Sequence, residues 1–321
     1  WSLPRVLKDV MDYYDAHSSG REPQLAYTRP YRDYIAWLQR QDLGRAERFW
    51  RETLQGFTAP TPLPIGRSET GRRPDATAYD EQSLRLSPEL TGRLQALART
   101  HRLTFNTLVQ GAWALLLARY SGETDVLFGA TVSGRPADLA GVEDMVGLFI
   151  NTLPVRVRVP AEATVLPWLE QLQARHVERD QYAYSPLVDI QGWSDVPRGV
   201  PLFESLVVFE NYPVDAALTE QSQSLQLRDI RALDRTNYPL TLLAVPGSQL
   251  SLVVVYDAHR FEAATITRLL THIETLLGGI AADPTQRLSE LPLIPDAEAR
   301  QLLVDWNATA ADYPNDQCLP R

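Results

Sequence analysis

Proton transfer, nucleophilic attack and metal binding each need particular side chains at particular spacings, and this chain offers few. Of its five histidines, His176 with Asp180 is the one tight histidine–acid pair, at a four-residue helical spacing that puts both on one face. Such a pair reads as an exposed ion pair of modest worth. His259, in Tyr256-Asp257-Ala258-His259-Arg260-Phe261, lies between a strand and a helix with no partner acid fixed by sequence, and reads as a turn residue rather than a base. The single cysteine, Cys318, is the fourth residue from the end, which leaves no disulfide framework, Cys-rich zinc site or buried thiol nucleophile. The chain contains no G-x-x-x-x-G-K-S/T loop, no G-x-G-x-x-G, no G-x-S-x-G elbow and no H-E-x-x-H. Nucleotide hydrolysis, Rossmann chemistry, hydrolase triads and zinc proteolysis lose support, and no metal site is expected.

Four stretches mix polar and aromatic residues in ways that need an account. Tyr31-Arg32-Asp33-Tyr34-Ile35-Ala36-Trp37 gathers three aromatics and an acid at the start of a helix, with Asp33 expected to cap it and Trp37 to pack in the core. Met145 to Leu153 is an apolar run interrupted by Gly147 and by Asn151-Thr152, whose polar groups must find partners in the backbone or in a ligand. Arg179 to Leu187 ends a helix in polar and aromatic residues. Asp234-Arg235-Thr236-Asn237-Tyr238-Pro239-Leu240 leads into a strand.

The elements that position these stretches follow from periodicity. Leu3, Val6, Leu7, Val10, Met11 and Tyr14 recur at helical spacing, with Ser2 as expected N-cap, and a second helical stretch covers Tyr34 to Leu54, ending at Gly56. Phe57 to Pro74 changes to proline and glycine and reads as a linker. Strands are expected at Tyr79–Leu86, Val126–Val132, Leu153–Val159, Phe203–Phe209, Leu240–Val245 and Leu250–Tyr256, the last two forming a hairpin. Helices are expected from Pro88 to Arg99, from Thr104 to Gly122, from Thr164 to Asp180 and from Glu262 to Ala281. The fold class is therefore mixed α/β. Leu291, Leu293, Leu302, Leu303 and Trp306 are the apolar anchors of a closing connector rich in Pro and Asp.

Composition agrees with a globular chain: 321 residues, 44% apolar, 9% aromatic and 22% charged, with a length that suggests about two units. Basic residues number 31 against 40 acidic, and a formal charge of −9 with no visible basic patch argues against nucleic acid or an anionic membrane as partner. No run of about 18 apolar residues exists. The chain opens on Trp1-Ser2 with neither an initiator Met nor a signal peptide, and reads as cut from something longer; the lone cysteine fits a reducing cytoplasm.

Together, in this order, the four stretches resemble the later core motifs of the condensation domains of nonribosomal peptide synthetases. Tyr31 to Trp37 is similar to Y-x-D-F/Y-A-V-W with the order at Ile35-Ala36 exchanged, and Val146 to Arg156 matches I/V-G-x-F-V/I-N-T-Q/L-x-x-R. Asp234 to Leu240 is similar to the last motif, and Gln181 to Leu187 is a looser match. Leu291-Pro292-Leu293 through Trp306-Asn307-Ala308-Thr309-Ala310 to Tyr313-Pro314 resembles the connector into an adenylation domain. The resemblance covers roughly residues 1 to 285. It implies a chloramphenicol acetyltransferase-like lobe, the carboxy-terminal half of a V-shaped pair with a tunnel between its lobes. Residues 1–57 would finish the amino-terminal lobe, 58–74 link the lobes, 75–285 form the second lobe and 286–321 lead into the adenylation domain.

The activity implied is amide-bond formation between a donor acyl or peptidyl thioester and an acceptor aminoacyl thioester. Both ride on phosphopantetheine arms of upstream and downstream peptidyl carrier proteins, with no cofactor bound directly. The family's H-H-x-x-x-D-G motif occurs nowhere in the chain and is expected just before Trp1, so no catalytic residue is assigned here. Asn151, Thr152, Ser133 and Arg135 are the candidates for the tunnel wall, whereas Tyr31, Asp33, Trp37, Gly147, Phe149, Arg235, Asn237 and Pro239 are expected to shape the scaffold. Phe149-Ile150-Asn151-Thr152 favours ordinary condensation over heterocyclization or epimerization, which share the fold, and over a non-catalytic recruitment module. Val132 to Pro136 and Leu153 to Val155 look like domains that take L-configured donors. The isolated chain is predicted to form no amide, whereas one extended upstream through an H-H-x-x-x-D-G motif does so in a single-turnover assay. Product from the isolated chain would count against the assignment.

Overall fold

The computed structural model describes residues 2–66, 79–210 and 236–309. The first helix, α1, spans Ser2–Ser18. The expected second helix is two: α2 over Arg32–Leu38 and α3 over Leu43–Leu54. The break falls where Asp42 leaves the helical region and its side chain accepts from the Arg45 N–H at 2.9 Å, so a competing N-cap divides the run. Asp33 does not cap α2; its carboxylate pairs with Arg29 one turn earlier, at 2.7 Å.

The remaining elements lie close to their expected places. They are β1 (Tyr79–Arg85), α4 (Pro88–Thr100), α5 (Phe105–Ser121), β2 (Asp125–Val132), β3 (Asn151–Arg158) and α6 (Val165–Asp180). These are followed by α7 (Leu187–Trp193), β4 (Ser205–Phe209), β5 (Leu240–Val245), β6 (Ser251–Asp257), α8 (Ala263–Ala282) and α9 (Asp296–Arg300). The short α7 leaves no mark in the periodicity, since its seven residues give little room for a period. Ser87 and Thr104 cap α4 and α5 through side-chain oxygens, and Gly122 closes α5 with a left-handed φ of 76°. α5 is buried without interruption from Thr107 to Ala118, as an all-round apolar helix must be. Among the described residues no helix is long and apolar enough to cross a membrane.

The strands form one mixed sheet in the order β1-β6-β5-β4-β2-β3. The central β4 runs parallel to β2 and β5, and the other neighbours are antiparallel. Pro154 is tolerated because β3 is an edge strand. Alternation along β2 sorts side chains to two cores. Val126, Phe128 and Ala130 join the large core with α4, α5, α6 and α8, whereas Leu127 joins a second with Trp50 and Leu54 of α3 and Ile190 of α7. Gly129 lets this second core close, since a Cβ there would lie 2.3 Å from the Phe203 ring. The described part of 58–74 lies against the lobe: Leu63 is buried in the large core, and Thr61 Oγ1 accepts from the Leu127 N–H at 2.7 Å.

The closing segment is anchored differently from expectation. Leu291 is buried and Leu293 packs on the core, but Leu303 and Trp306 are 73% and 63% exposed. A polar contact holds α9 instead: Glu298 lies 2.9 Å from His272 Nε2, and His272 Nδ1 lies 2.8 Å from the Tyr120 hydroxyl. Burial and the Glu298 charge push the Tyr120 phenol up to about 12, so it stays protonated.

Arg156 ties α3 to the sheet. Nε and Nη2 donate to the Asp125 carboxylate at 2.7–3.1 Å, and Nη1 donates to the Thr53 and Gln55 carbonyls at the end of α3, at 3.0 and 2.8 Å. A planar fork serves both partners at once and an ammonium does not. Arg156→Lys is expected to lower stability by about 1–3 kcal/mol in chemical denaturation; an unchanged midpoint would show that α3 is held by packing alone.

Candidate functional site

Three of the four singled-out stretches meet at one place. The long loop between β2 and β3 passes over α2, and two of its glycines permit close approaches. Gly134 has φ of 63°, and a Cβ there would lie 1.7 Å from the Phe149 carbonyl oxygen. At Gly147 a Cβ would lie 2.1 Å from the Tyr31 ring. These close approaches let Phe149 contact Tyr31 edge-on at 5.1 Å and Tyr34 at 4.6 Å between ring centroids. The Tyr31 hydroxyl donates to the Leu148 carbonyl at 2.5 Å. Met145, Phe149, Val142, Leu139 and Tyr34 form a small core of their own.

Arg135 is at the centre of this loop. Its guanidinium stacks 4.0 Å over the Phe149 ring and donates to the Val142 carbonyl, to the Met145 carbonyl at 3.0 Å and to Ser2 Oγ at 3.2 Å. Burial draws this group below its ordinary value, but an arginine keeps its charge. Ser2 Oγ in turn accepts from the Gly147 N–H at 3.1 Å and donates to the Gly147 carbonyl at 2.8 Å. Ser2 therefore stitches α1 to the loop rather than capping α1.

The third stretch closes the group from the other side. Asn151 Nδ2 donates to the Ala183 and Ser185 carbonyls at 2.7 and 2.8 Å, and Asn151 Oδ1 accepts from the Thr152 N–H at 2.8 Å. Trp37 stacks on Tyr34 with centroids 5.9 Å apart, meets Tyr184 edge-on, and donates from Nε1 to Asp138 at 3.1 Å. Of the fourth stretch, Arg235 lies outside the described residues. Asn237 is exposed, and the Pro239 carbonyl accepts from the Asp257 N–H at 2.9 Å, beside the sheet.

These elements wall a cleft of about 900 Å³. Ser133 and Arg135 line it, as do Tyr34, Trp37, Asp138 and Tyr184. Asn151 and Thr152 are not among its lining residues; the Asn151 amide is spent on backbone carbonyls and fixes the loop that carries Tyr184. Trp37, expected only in the scaffold, contributes to the wall.

The far wall brings a correction. His176 is 8% exposed and is no surface partner of Asp180, whose carboxylate instead accepts from Arg179 Nε and Nη2 at 3.1 and 2.8 Å. Leu169, Leu172, His176 and Arg179 share the buried face of α6. Their spacing of three, four and three residues is the signal in the sequence that points inward. Burial, with Arg179 adjacent, pushes the His176 imidazole down to about 3. A ring so hard to protonate is a poor general base near neutral pH. The cleft thus offers groups that bind and orient: hydroxyls, amides, carboxylates and aromatic faces.

A mixed sheet of this order, with helices on both faces and a pinned edge loop, defines a chloramphenicol acetyltransferase-like lobe. The chain belongs to the condensation-domain family, whose model matches residues 1–303. It is 50% identical over 319 residues to one of the linear gramicidin synthase proteins of Brevibacillus parabrevis, covering 99% of this chain and 4% of that protein. It is 48% identical over 309 residues to chondramide synthase cmdD of Chondromyces crocatus, covering 96% of this chain and 8% of that protein. The chain therefore spans a small part of these relatives. Among solved structures, the X-domain from teicoplanin biosynthesis superposes with a TM-score of 0.74 at 23% identity, covering 91% of this chain and 69% of that one. A four-domain nonribosomal peptide synthetase bound to AMP and glycine gives a TM-score of 0.74 at 18% identity, covering 93% of this chain and 24% of that one.

Three outcomes, each read from denaturation curves, follow from this geometry. Gly134→Ala, strained in φ and pressed against backbone, should cost at least ~3 kcal/mol. The milder Gly147→Ala should be partly rescued by Tyr31→Leu, and denaturation midpoints that show no such coupling would count against the contact. Because the folded His176 value lies below the unfolded 6.5, the unfolded chain binds the proton first, and stability falls as pH drops from about 6.5 towards 3. His176→Leu should make that fall shallower in denaturation curves across this window; an equal slope would show the ring is not held neutral.

Proposed function

We propose that this chain is the carboxy-terminal part of a condensation domain that joins a donor acyl or peptidyl thioester to the amine of an acceptor aminoacyl thioester. Both substrates would be carried on phosphopantetheine arms of peptidyl carrier proteins, in the cytoplasm, beside an adenylation domain. The observation that carries the reading is the packing of Tyr31–Trp37, Met145–Leu153 and Arg179–Ser185 against one another beside one cleft, which the first and third of them line, in a chain that matches the condensation family along most of its length. In this reaction the neutral amine attacks the thioester carbonyl, a C–N bond forms, the C–S bond breaks, and the amine proton ends on the departing thiol. The rate gain such a site can supply is placement of two tethered reactants and polar partners for the developing charges.

What this chain contributes is the wall. Ser133 and the aromatic faces of Trp37, Tyr34 and Tyr184 would confine the acyl chain. Arg135 would hold the wall in shape, since its donors go to Val142, Met145 and Ser2. Ser2 has a further role in this reading. Its clamp on Gly147 fixes the first turn of α1 to the loop, so an H-H-x-x-x-D-G motif joined directly ahead of Trp1 would arrive near the cleft.

A second reading has its own support. A teicoplanin-biosynthesis X-domain, 25% identical with a TM-score of 0.73, has been solved in complex with OxyB, so a domain of this fold can serve as a docking partner. Replacing the second histidine of the upstream motif in the intact synthetase separates the two. Condensation predicts loss of the amide product by at least about a hundredfold in single turnover, and unchanged product would favour recruitment.

A further inference from the structure

The closing segment is packed down at one point and fastened at another. Up to Leu293 it is held by packing and by backbone. Leu291 is buried, a Cβ on Gly279 of α8 would lie 2.9 Å from the side chains of Leu291 and Pro292, and Arg119 Nη2 donates to the Leu288 carbonyl at 2.8 Å. Beyond that point the attachment changes in kind. Helix α9 and the π-helical turn that continues it over Gln301–Asp305 contain no buried residue. In 296–309 only Glu298, Ala299 and Leu302 are even half-buried. Among the described residues, every hydrogen bond and ion pair from 294–309 to the rest of the lobe runs through Glu298.

Glu298 meets a relay whose hydrogen positions follow from its two ends. A carboxylate only accepts, so His272 Nε2, 2.9 Å from Glu298 Oε2, carries a proton. The Tyr120 hydroxyl, 2.8 Å from His272 Nδ1, donates to that nitrogen, and in the neutral ring this arrangement uses both nitrogens. Arg268 Nε, also on α8, lies 3.3 Å from the other carboxylate oxygen. The seat is therefore mainly polar. Opening it returns Glu298 and His272 Nε2 to water instead of exposing two matched apolar surfaces, so it costs less than unseating a buried leucine. A helix as short as α9 and its added turn does not persist alone in water, so release also unwinds it.

We propose that Glu298 and the His272–Tyr120 relay form a releasable catch, and that residues 296–309 are a strap that pivots beyond the anchored Leu291–Leu293 and opens as a unit while the lobe stays folded. Closed, the strap lies on α8 and fixes the direction in which the chain leaves the lobe. Open, it swings away with the exposed Leu303, Val304 and Trp306. What the strap leads to rests on the condensation reading, in which it begins the connector to the next domain; the catch itself rests on the contacts above.

The test is hydrogen exchange of the full chain, followed by mass spectrometry on peptides that cover 299–308, α5 and α8. In the unaltered protein the strap amides should exchange at least about a hundredfold faster than those of α5. Their rates should also stay constant in urea below the unfolding transition, since local opening exposes little surface. Glu298→Ala places the best helix former on an outer helix, so it removes the catch without weakening α9 itself. It should speed strap exchange by about tenfold or more and leave α5 and α8 unchanged. His272→Phe should act on the strap in the same way, and adding it to Glu298→Ala should have no further effect there. Strap amides that follow α5 in urea would show that the segment opens only with the lobe, and that overturns the proposal. So does strap exchange unaltered by Glu298→Ala, or full additivity of the two substitutions. No readout depends on amide formation, so failure of the condensation reading leaves the catch standing, and failure of the catch leaves that reading intact.

Discussion

The placement of the Arg135 guanidinium on the Phe149 ring is the contact on which the rest of the site depends. It joins α1 through Ser2, two turns of the loop through Val142 and Met145, and the aromatic cluster of Tyr31, Tyr34 and Phe149. Half-buried cations are costly unless hydrogen bonds and an aromatic face replace water, and here both are supplied at once. Gly134 and Gly147 serve the same end, because the backbone must come within contact distance of Phe149 and Tyr31 before the stack can form. An apolar residue at 135 would fill the space and leave the Val142 and Met145 carbonyls without this donor.

A second arginine plays a comparable part for the lobe as a whole. Arg156 faces the same side of the sheet as Leu127, its register partner, and there meets the carboxy-terminal turn of α3. The last carbonyls of a helix have no partners within it, so a guanidinium at that end satisfies them and complements the helix dipole. Helix α3 thereby joins the second core, which packs against the opposite face of the sheet from α5 and α8. The cleft lies where this arrangement meets the β2–β3 loop, so its shape follows from how both arginines are seated.

Much of this is legible in the chain alone. Period-two runs mark the strands, Ser87, Thr104 and Gly122 mark the helix limits, and the proline-free apolar run of α5 marks the centre of the core. The three stretches are visible as anomalies, since Asn151 and Gly147 do not belong in a plain apolar run. Their partners are not. Asn151 bonds Ala183 and Ser185 across more than thirty residues, and Ser2 bonds Gly147 across 145. Neither distance leaves a trace in local spacing. The run from Tyr34 to Leu54 reads as one helix because its pattern is otherwise continuous, yet a strong cap at Asp42 divides it.

The sequence by itself determined most of the elements, because capping, periodicity and turn chemistry act over a few residues. It also carried the family, since the ordered motifs are local patterns. Only the tertiary structure decided which polar groups are spent within the fold. Asn151, a candidate by its chemistry, is consumed by backbone carbonyls, while His176, whose spacing to Asp180 suggests a surface pair, lies buried beside Arg179. Whether a side chain is satisfied depends on atoms brought to it by folding, and one strand of sequence does not contain them.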